Sequence, residues 1–146
     1  MKTPIAALAD FAALDPFFRI IEQGLDGLAG HGHFFDLLAE DIVIEYVVRT
    51  PGYPARVHGR TAIAELYRPY GTMMVLERCS DLAVYHDAVK GVAILEYASH
   101  GHAVGTGNPY HNRFISVLTI RDGDVVHWRD YLDPVAVFDA LGWPQR

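Results

Sequence analysis

The run Trp128-Arg129-Asp130-Tyr131 sets an acid two residues from an indole, in a stretch with the residue types of a strand. Side chains two apart on a strand share a face, so Asp130, Trp128 and Leu132 are expected to point the same way. A carboxylate packed against Trp128 and Phe114 loses water, which disfavours its charged form and raises its pKa. A base brought nearer to neutrality transfers protons efficiently, so Asp130 is the expected general acid/base. Asn112, Phe114, Ser116 and Leu118 share one face of the preceding strand. Tyr97 and Ser99 join them from the strand before that, and Ile44 and Tyr46 from an earlier one. Such a set is mostly apolar with a few convergent polar groups, as small-molecule pockets are. Tyr46, Tyr97, Ser99, Asn112, Phe114 and Trp128 form the expected substrate wall, with Tyr46, Tyr97 or Asn112 able to donate to a developing enolate. The plainer alternative makes Asp130 a strand-end residue paired with Arg129 or Arg113.

The other reactive side chains are poorly grouped around Asp130. His100 and His102 form an i, i+2 pair facing away from it, and His111 falls on the neighbouring strand. No acid follows at close spacing, so the three read as polar or interface histidines and no metal site is expected. His31 and His33 read as a solvated connection, and His58 as part of a loop near the pocket. Cys79, the sole cysteine, allows no internal disulfide and has no basic partner beyond Arg78 to activate it.

The elements that must position these residues follow from periodicity and punctuation. Asp15-Pro16 reads as an N-cap and first turn, followed by Phe17, Phe18, Ile20, Ile21, Leu25 and Leu28 at helical spacing. Phe34, Phe35, Leu37 and Leu38 predict a short second helix ending near Ala39-Glu40. Residues 42–48 are β-branched and aromatic and predict a strand. Residues 50–59 read as a loop and 60–70 as a third helix. Strands are then expected over 73–78, with an extension to 86, and over 92–103, 110–120 and 125–132. Asp122-Gly123 marks the last hairpin, and Asp133-Pro134 caps a short final helix over 135–141. Helices first and a meander of long strands after predict one α+β domain spanning 1–146, a cone-shaped barrel of a strongly bent, mainly antiparallel sheet. Helices would pack on its concave face around a pocket.

The formal net charge of −6 and scattered basic residues argue against nucleic acid and anionic membranes. No apolar run approaches a membrane span, and the apolar stretch from Ile5 to Ala9 is too short for a secretory signal. A cytoplasmic protein is the expectation. On the outer sheet face, His111, Arg113, Ile115 and Val117 lie beside Val125, His127, Arg129 and Tyr131. That face is apolar enough to predict a homodimer paired through it.

Several phrases carry a family resemblance: Leu38-Ala39-Glu40-Asp41, Val57-His58-Gly59-Arg60, and the run from Asp122 to Asp133. With the order of elements, they resemble the SnoaL-like polyketide cyclases of the ketosteroid isomerase and nuclear transport factor 2-like superfamily. Limonene epoxide hydrolases share the Trp-Arg-Asp-Tyr phrase, but the Arg and first Asp of their Asp-Arg-Asp set would fall on Tyr97 and Ser99, which argues against epoxide hydrolysis. Phenazine-biosynthesis condensing proteins are similar through Glu96, His100-Gly101 and Tyr110-His111-Asn112-Arg113-Phe114, with an acid at Asp130. The resemblance implies a cofactor-independent enzyme using Asp130 on a small cyclic or polyketide-like carbonyl compound, by isomerisation, aldol cyclisation or condensation. The alternative is a non-catalytic module binding a small hydrophobic organic ligand.

Overall fold

Period-two burial, apolar side chains in and polar ones out, organises most of the chain. It is clearest on β4 (Val92–Ala103) and β5 (Pro109–Arg121). In the computed structural model, which describes residues 2–50 and 52–142, these strands are neighbouring inner strands of a six-stranded sheet. The other strands are β1 (Leu38–Tyr46), β2 (Arg56–His58), β3 (Met74–Asp87) and β6 (Asp124–Leu132). Their order is β2-β1-β6-β5-β4-β3. β1 runs parallel to β6 and every other pairing is antiparallel. The protein is α+β as expected, but the sheet is open, with β2 and β3 as its edges.

The helices α1 (Asp15–Gly24), α2 (Arg60–Tyr67) and α3 (Pro134–Leu141) contact the sheet on β3 and β4, on β1, and on β5 and β4 respectively. α1 buries Phe18, Ile20 and Ile21. An aromatic core forms where α1 meets the sheet: Phe18 stacks on Phe34 at 4.6 Å between ring centroids, and Phe34 meets Trp128 edge-on at 5.7 Å. Buried Arg60 ties the N-terminal side of this core together. Its Nε donates to the Phe35 carbonyl at 2.7 Å, another guanidinium nitrogen donates to the Thr3 carbonyl, and Asp36 and Glu40 each lie 3.8 Å away.

Several local expectations are corrected. Asp15 does not cap α1: a 3-10 helix, Leu8–Leu14, runs directly into it, leaving Asp15 as its first residue. The second helix is only a 3-10 turn, Phe34–Leu37, closed by the Asp36 carboxylate and His33 Nδ1, so His33 is a local cap. β1 consequently begins at Leu38 rather than residue 42. The 50–59 loop contains β2, and α2 stops at Tyr67, before Pro69. The Asp122-Gly123 hairpin forms as expected, with both residues at positive φ, and Asp133 caps α3 by accepting from the Val135 N–H. A bulge near Thr119 rotates Val125 into the core and away from the outer face.

Gly101 marks the tightest approach in the sheet. A Cβ there would lie 2.0 Å from the Val75 carbonyl oxygen, a rigid backbone atom beside an irregularity in β3. Gly101→Ala is expected to destabilise the protein by about 2 kcal/mol or more, as overpacking against backbone does. Urea unfolding of the variant checks this.

Candidate functional site

Strand register assembles the site. Asp130 pairs with Ser116 on one side and Tyr46 on the other, Trp128 with Leu118 and Ile44, and Phe114 with Leu132. On the next strand Tyr97 opposes Phe114 and Ser99 opposes Asn112. These side chains share the inner face, as the alternation predicts. Between that face and the helices lies a cavity of about 130 Å³. Tyr46, Ser99, Phe114 and Asp130 line it; Tyr97, Asn112 and Trp128 do not.

Asp130 is 8 % exposed. Its Oδ1 accepts two hydrogen bonds, from Ser116 Oγ at 2.8 Å and Trp128 Nε1 at 2.9 Å. Oδ2 accepts none among the described residues, and no cation pairs with the carboxylate there; the alternative of an ion pair with Arg129 or Arg113 is not realised. Burial pushes the carboxyl up to about 6, while the two hydrogen bonds pull the other way. The result is a carboxylate fixed at one oxygen and open at the other.

The residues behind the cavity hold this arrangement. Ser116 gives its proton to Asp130, so it accepts from the Tyr97 hydroxyl, 2.8 Å away. Tyr97 is therefore engaged within the protein, stacked on Phe114 at 5.3 Å with planes 6° apart. Trp128 is a core residue whose indole N–H anchors the acid. Asn112 is also fully engaged. Its Nδ2 donates to the Tyr110 hydroxyl and the Asp133 carbonyl, and its Oδ1 accepts from the Arg113 and Asp133 backbone N–H groups. The expected roles of Tyr97 and Asn112 as donors to substrate thus give way to internal support.

Tyr110, in the same row of β5 as Asn112 and Phe114, also lines the cavity, and so do three tyrosines from outside the strands: Tyr53, Tyr67 and Tyr70. Tyr46 donates to the Tyr67 hydroxyl at 3.2 Å, leaving the Tyr67 proton free. Burial raises the pKa of every one of these phenols, that of Tyr110 to about 12, and the negative field of Asp130 adds to the rise at Tyr46, Tyr53, Tyr67 and Tyr110. All stay protonated at neutral pH and able to donate. Tyr67 comes from α2, Tyr53 and Tyr70 from connections, so no strand periodicity points to them. Their signal in the sequence is only the density of tyrosine.

The histidines lie elsewhere. His100 Nδ1 and His111 Nδ1 are 2.9 Å apart, and His102 meets Glu77 at 2.9 Å. Cys79 is half-buried, its thiol pushed up to about 11 by burial, which leaves it a poor nucleophile.

Comparison with known proteins matches residues 21–128 to the SnoaL-like domain. The uncharacterized protein YesE of Bacillus subtilis (strain 168) is 35 % identical over 107 residues, 73 % of each chain. An uncharacterized PhzA/B-like protein of Pseudomonas aeruginosa is 32 % identical over 107 residues, 73 % of this chain and 75 % of its own. Among solved structures, a provisionally named isomerase from Bacillus subtilis superposes with a TM-score of 0.73 at 28 % identity, covering 94 % of this chain and 97 % of the other. A hypothetical protein of ketosteroid isomerase-like fold from Catenulispora acidiphila, in complex with trimethylamine, gives a TM-score of 0.64 at 18 % identity, covering 86 % and 93 %.

The raised Asp130 pKa has a consequence for stability. Between the ordinary value of 3.8 and about 6 the folded protein holds a proton that the unfolded chain releases. Stability contributed by this group therefore falls as pH rises through that window, reaching a loss of about 3 kcal/mol above it. Asp130→Asn keeps an acceptor for Ser116 and Trp128 but abolishes the titration. The variant should gain stability relative to wild type by most of that amount between pH 4 and pH 7.5, measured by denaturant unfolding at both. An unchanged difference would show that the carboxylate titrates normally.

Proposed function

The chain belongs to the SnoaL-like domain family, and from that premise we propose that it is a cofactor-independent acid/base enzyme acting on a small carbonyl compound. The observation that carries the reading is the buried, unpaired Asp130 carboxylate with Oδ1 clamped and Oδ2 free at the cavity. In this reading Oδ2 takes the proton α to a carbonyl and returns it elsewhere on the resulting enolate. Oδ1 stays on Ser116 and Trp128 throughout, so the acid does not turn as its charge changes. The free Tyr67 proton, oriented by Tyr46, donates to the oxygen on which negative charge develops. Tyr97 acts through Ser116 as a positioning residue. Apolar walls at Phe17, Phe114 and Leu132 exclude water from the enolate.

A second reading, a non-catalytic binding module, is favoured by one observation. An unpaired carboxylate among tyrosines also suits a small ammonium cation, and one fold neighbour is in complex with trimethylamine.

Isomerisation of 3-cyclohexenone to its conjugated isomer, followed by ultraviolet absorbance, tests the enzymatic reading. Asp130→Asn should stay folded and lose roughly 10²–10⁴ in turnover, the usual worth of a general base. Tyr67→Phe should lose roughly 10²–10³, as removal of an oxyanion donor does. Turnover that survives Asp130→Asn would overturn the role given to Asp130, and a wild type without turnover would leave the binding reading in place.

We further propose a homodimer paired through the outer face of β4, β5 and β6. There Ile115 is 41 % exposed, and a broad groove runs past Glu96, Arg113 and Tyr131. Sedimentation should give a dimer at micromolar concentration; a monomer would rule out this pairing.

A further inference from the structure

Building on the homodimer proposed above, we infer that His100 and His111 make the pairing of two copies pH-sensitive, permitting it at neutral pH and releasing it on acidification. The two histidines are cross-strand partners on β4 and β5, with Nδ1 atoms 2.9 Å apart, and both line the groove of the proposed interface. Two imidazole nitrogens meet at that distance only with a single proton between them.

Hydrogen-bond direction fixes the pair at neutral pH. A carboxylate can only accept, so the Ser80 hydroxyl, 3.0 Å from Asp81 Oδ2, gives its proton there. Ser80 Oγ therefore accepts from His100 Nε2 at 2.9 Å. His100 Nδ1 is left as a lone pair, and His111 Nδ1 donates to it. A first added proton enters at His111 Nε2 and keeps this bond. A second has only His100 Nδ1 to go to. It sets N–H against N–H and puts like charges on touching rings, so the contact must open. The pair thus titrates in two steps, the second one disruptive.

The surroundings oppose that second step. Arg78 on β3 is the cross-strand partner of His100. Burial, then the charges of Arg78 and His111, hold His100 below the ordinary imidazole value, with Asp81 pulling the other way. Glu96 on β4, Arg113 on β5, Tyr131 on β6 and Asp133 at the start of α3 line the same groove. His102 is bonded to Glu77 at 2.9 Å. With Asp81 and Glu96 beside Arg113, the groove carries both signs, and a two-fold axis can set acid against base across two copies. Each copy then brings its own histidine pair into the interface. Charging both rings of each pair there costs more than charging them in water. Histidines harder to protonate in the dimer than in the monomer favour pairing above their titration range, and that contribution is lost as pH falls through it. The formal net charge of −6 shrinks over the same interval, which by itself favours association. A dimer that weakens on acidification therefore runs against the net charge and points to a local group.

Sedimentation equilibrium of the full chain at pH 7.5 and pH 5.0 tests this, with circular dichroism to follow the fold. The wild-type dissociation constant should rise about tenfold or more at pH 5.0, tenfold being the worth of roughly one unit of depression at one histidine. The double variant His100→Gln/His111→Gln should stay dimeric at both pH values with no such rise. Wild-type affinity that is unchanged or tighter at pH 5.0 overturns the switch and leaves the homodimer intact. So does a weakening that persists in the double variant, a double variant that is monomeric at pH 7.5, or a loss of pairing that comes with loss of the fold. A wild type that is monomeric at both pH values overturns the homodimer and the switch together.

Discussion

A carboxylate placed in a hydrocarbon wall must be hydrogen-bonded or must give up its charge, and the inner face of this sheet is organised around that condition at Asp130. Two donors meet one oxygen, and both depend on exact strand placement. Ser116 is the cross-strand partner of Asp130 on β5, and Trp128 precedes it by two on β6. A slip of one residue between β5 and β6 would reverse the faces and remove Ser116 from reach. The acid thus depends on the register, and the register is held by the core residues Leu118, Trp128 and Ile44 that share it.

Polar groups on this face divide into two layers. Tyr97, Ser116, Asn112 and Trp128 are bonded to one another, to Asp130 or to the backbone, and hold positions. Tyr67 and Tyr110 retain unused hydrogen-bonding capacity at the cavity. The division explains how an inner face carrying this many polar groups remains compatible with a packed interior. Most of its hydroxyls and amides are internally satisfied, and the remainder are phenols whose rings supply apolar wall.

Much of this was legible in the sequence. Alternation along β4, β5 and β6 placed Asp130, Trp128, Phe114, Ser116, Tyr97 and Ser99 on one face without a structure, because a two-residue period needs only local information. Bonding partners were not legible: whether Tyr97 or Asn112 serves a ligand or a neighbour depends on atoms from distant segments. Tyr67, Tyr53 and Tyr70 escaped for the same reason, since they reach the cavity from a helix and connections rather than from strands. Element ends failed where two local signals competed. Asp15-Pro16 looks like a helix start, but an upstream 3-10 helix already leads into it. The aromatic pair Phe34-Phe35 suits a helix, but β1 claims the chain at Leu38.

The parallel pairing of β1 with β6 bears on how the polypeptide reaches this state. Strands β3 to β6 are consecutive neighbours and can associate soon after each is made, whereas β1 waits for the last strand. Non-local pairing of this kind slows folding and lengthens the exposure of unpaired apolar strands. During synthesis, Ile42 and Ile44 leave the ribosome well before the segment that will cover them. The nascent chain is therefore most vulnerable to self-association while β1 is complete and β6 is not, and chaperone demand should concentrate in that interval.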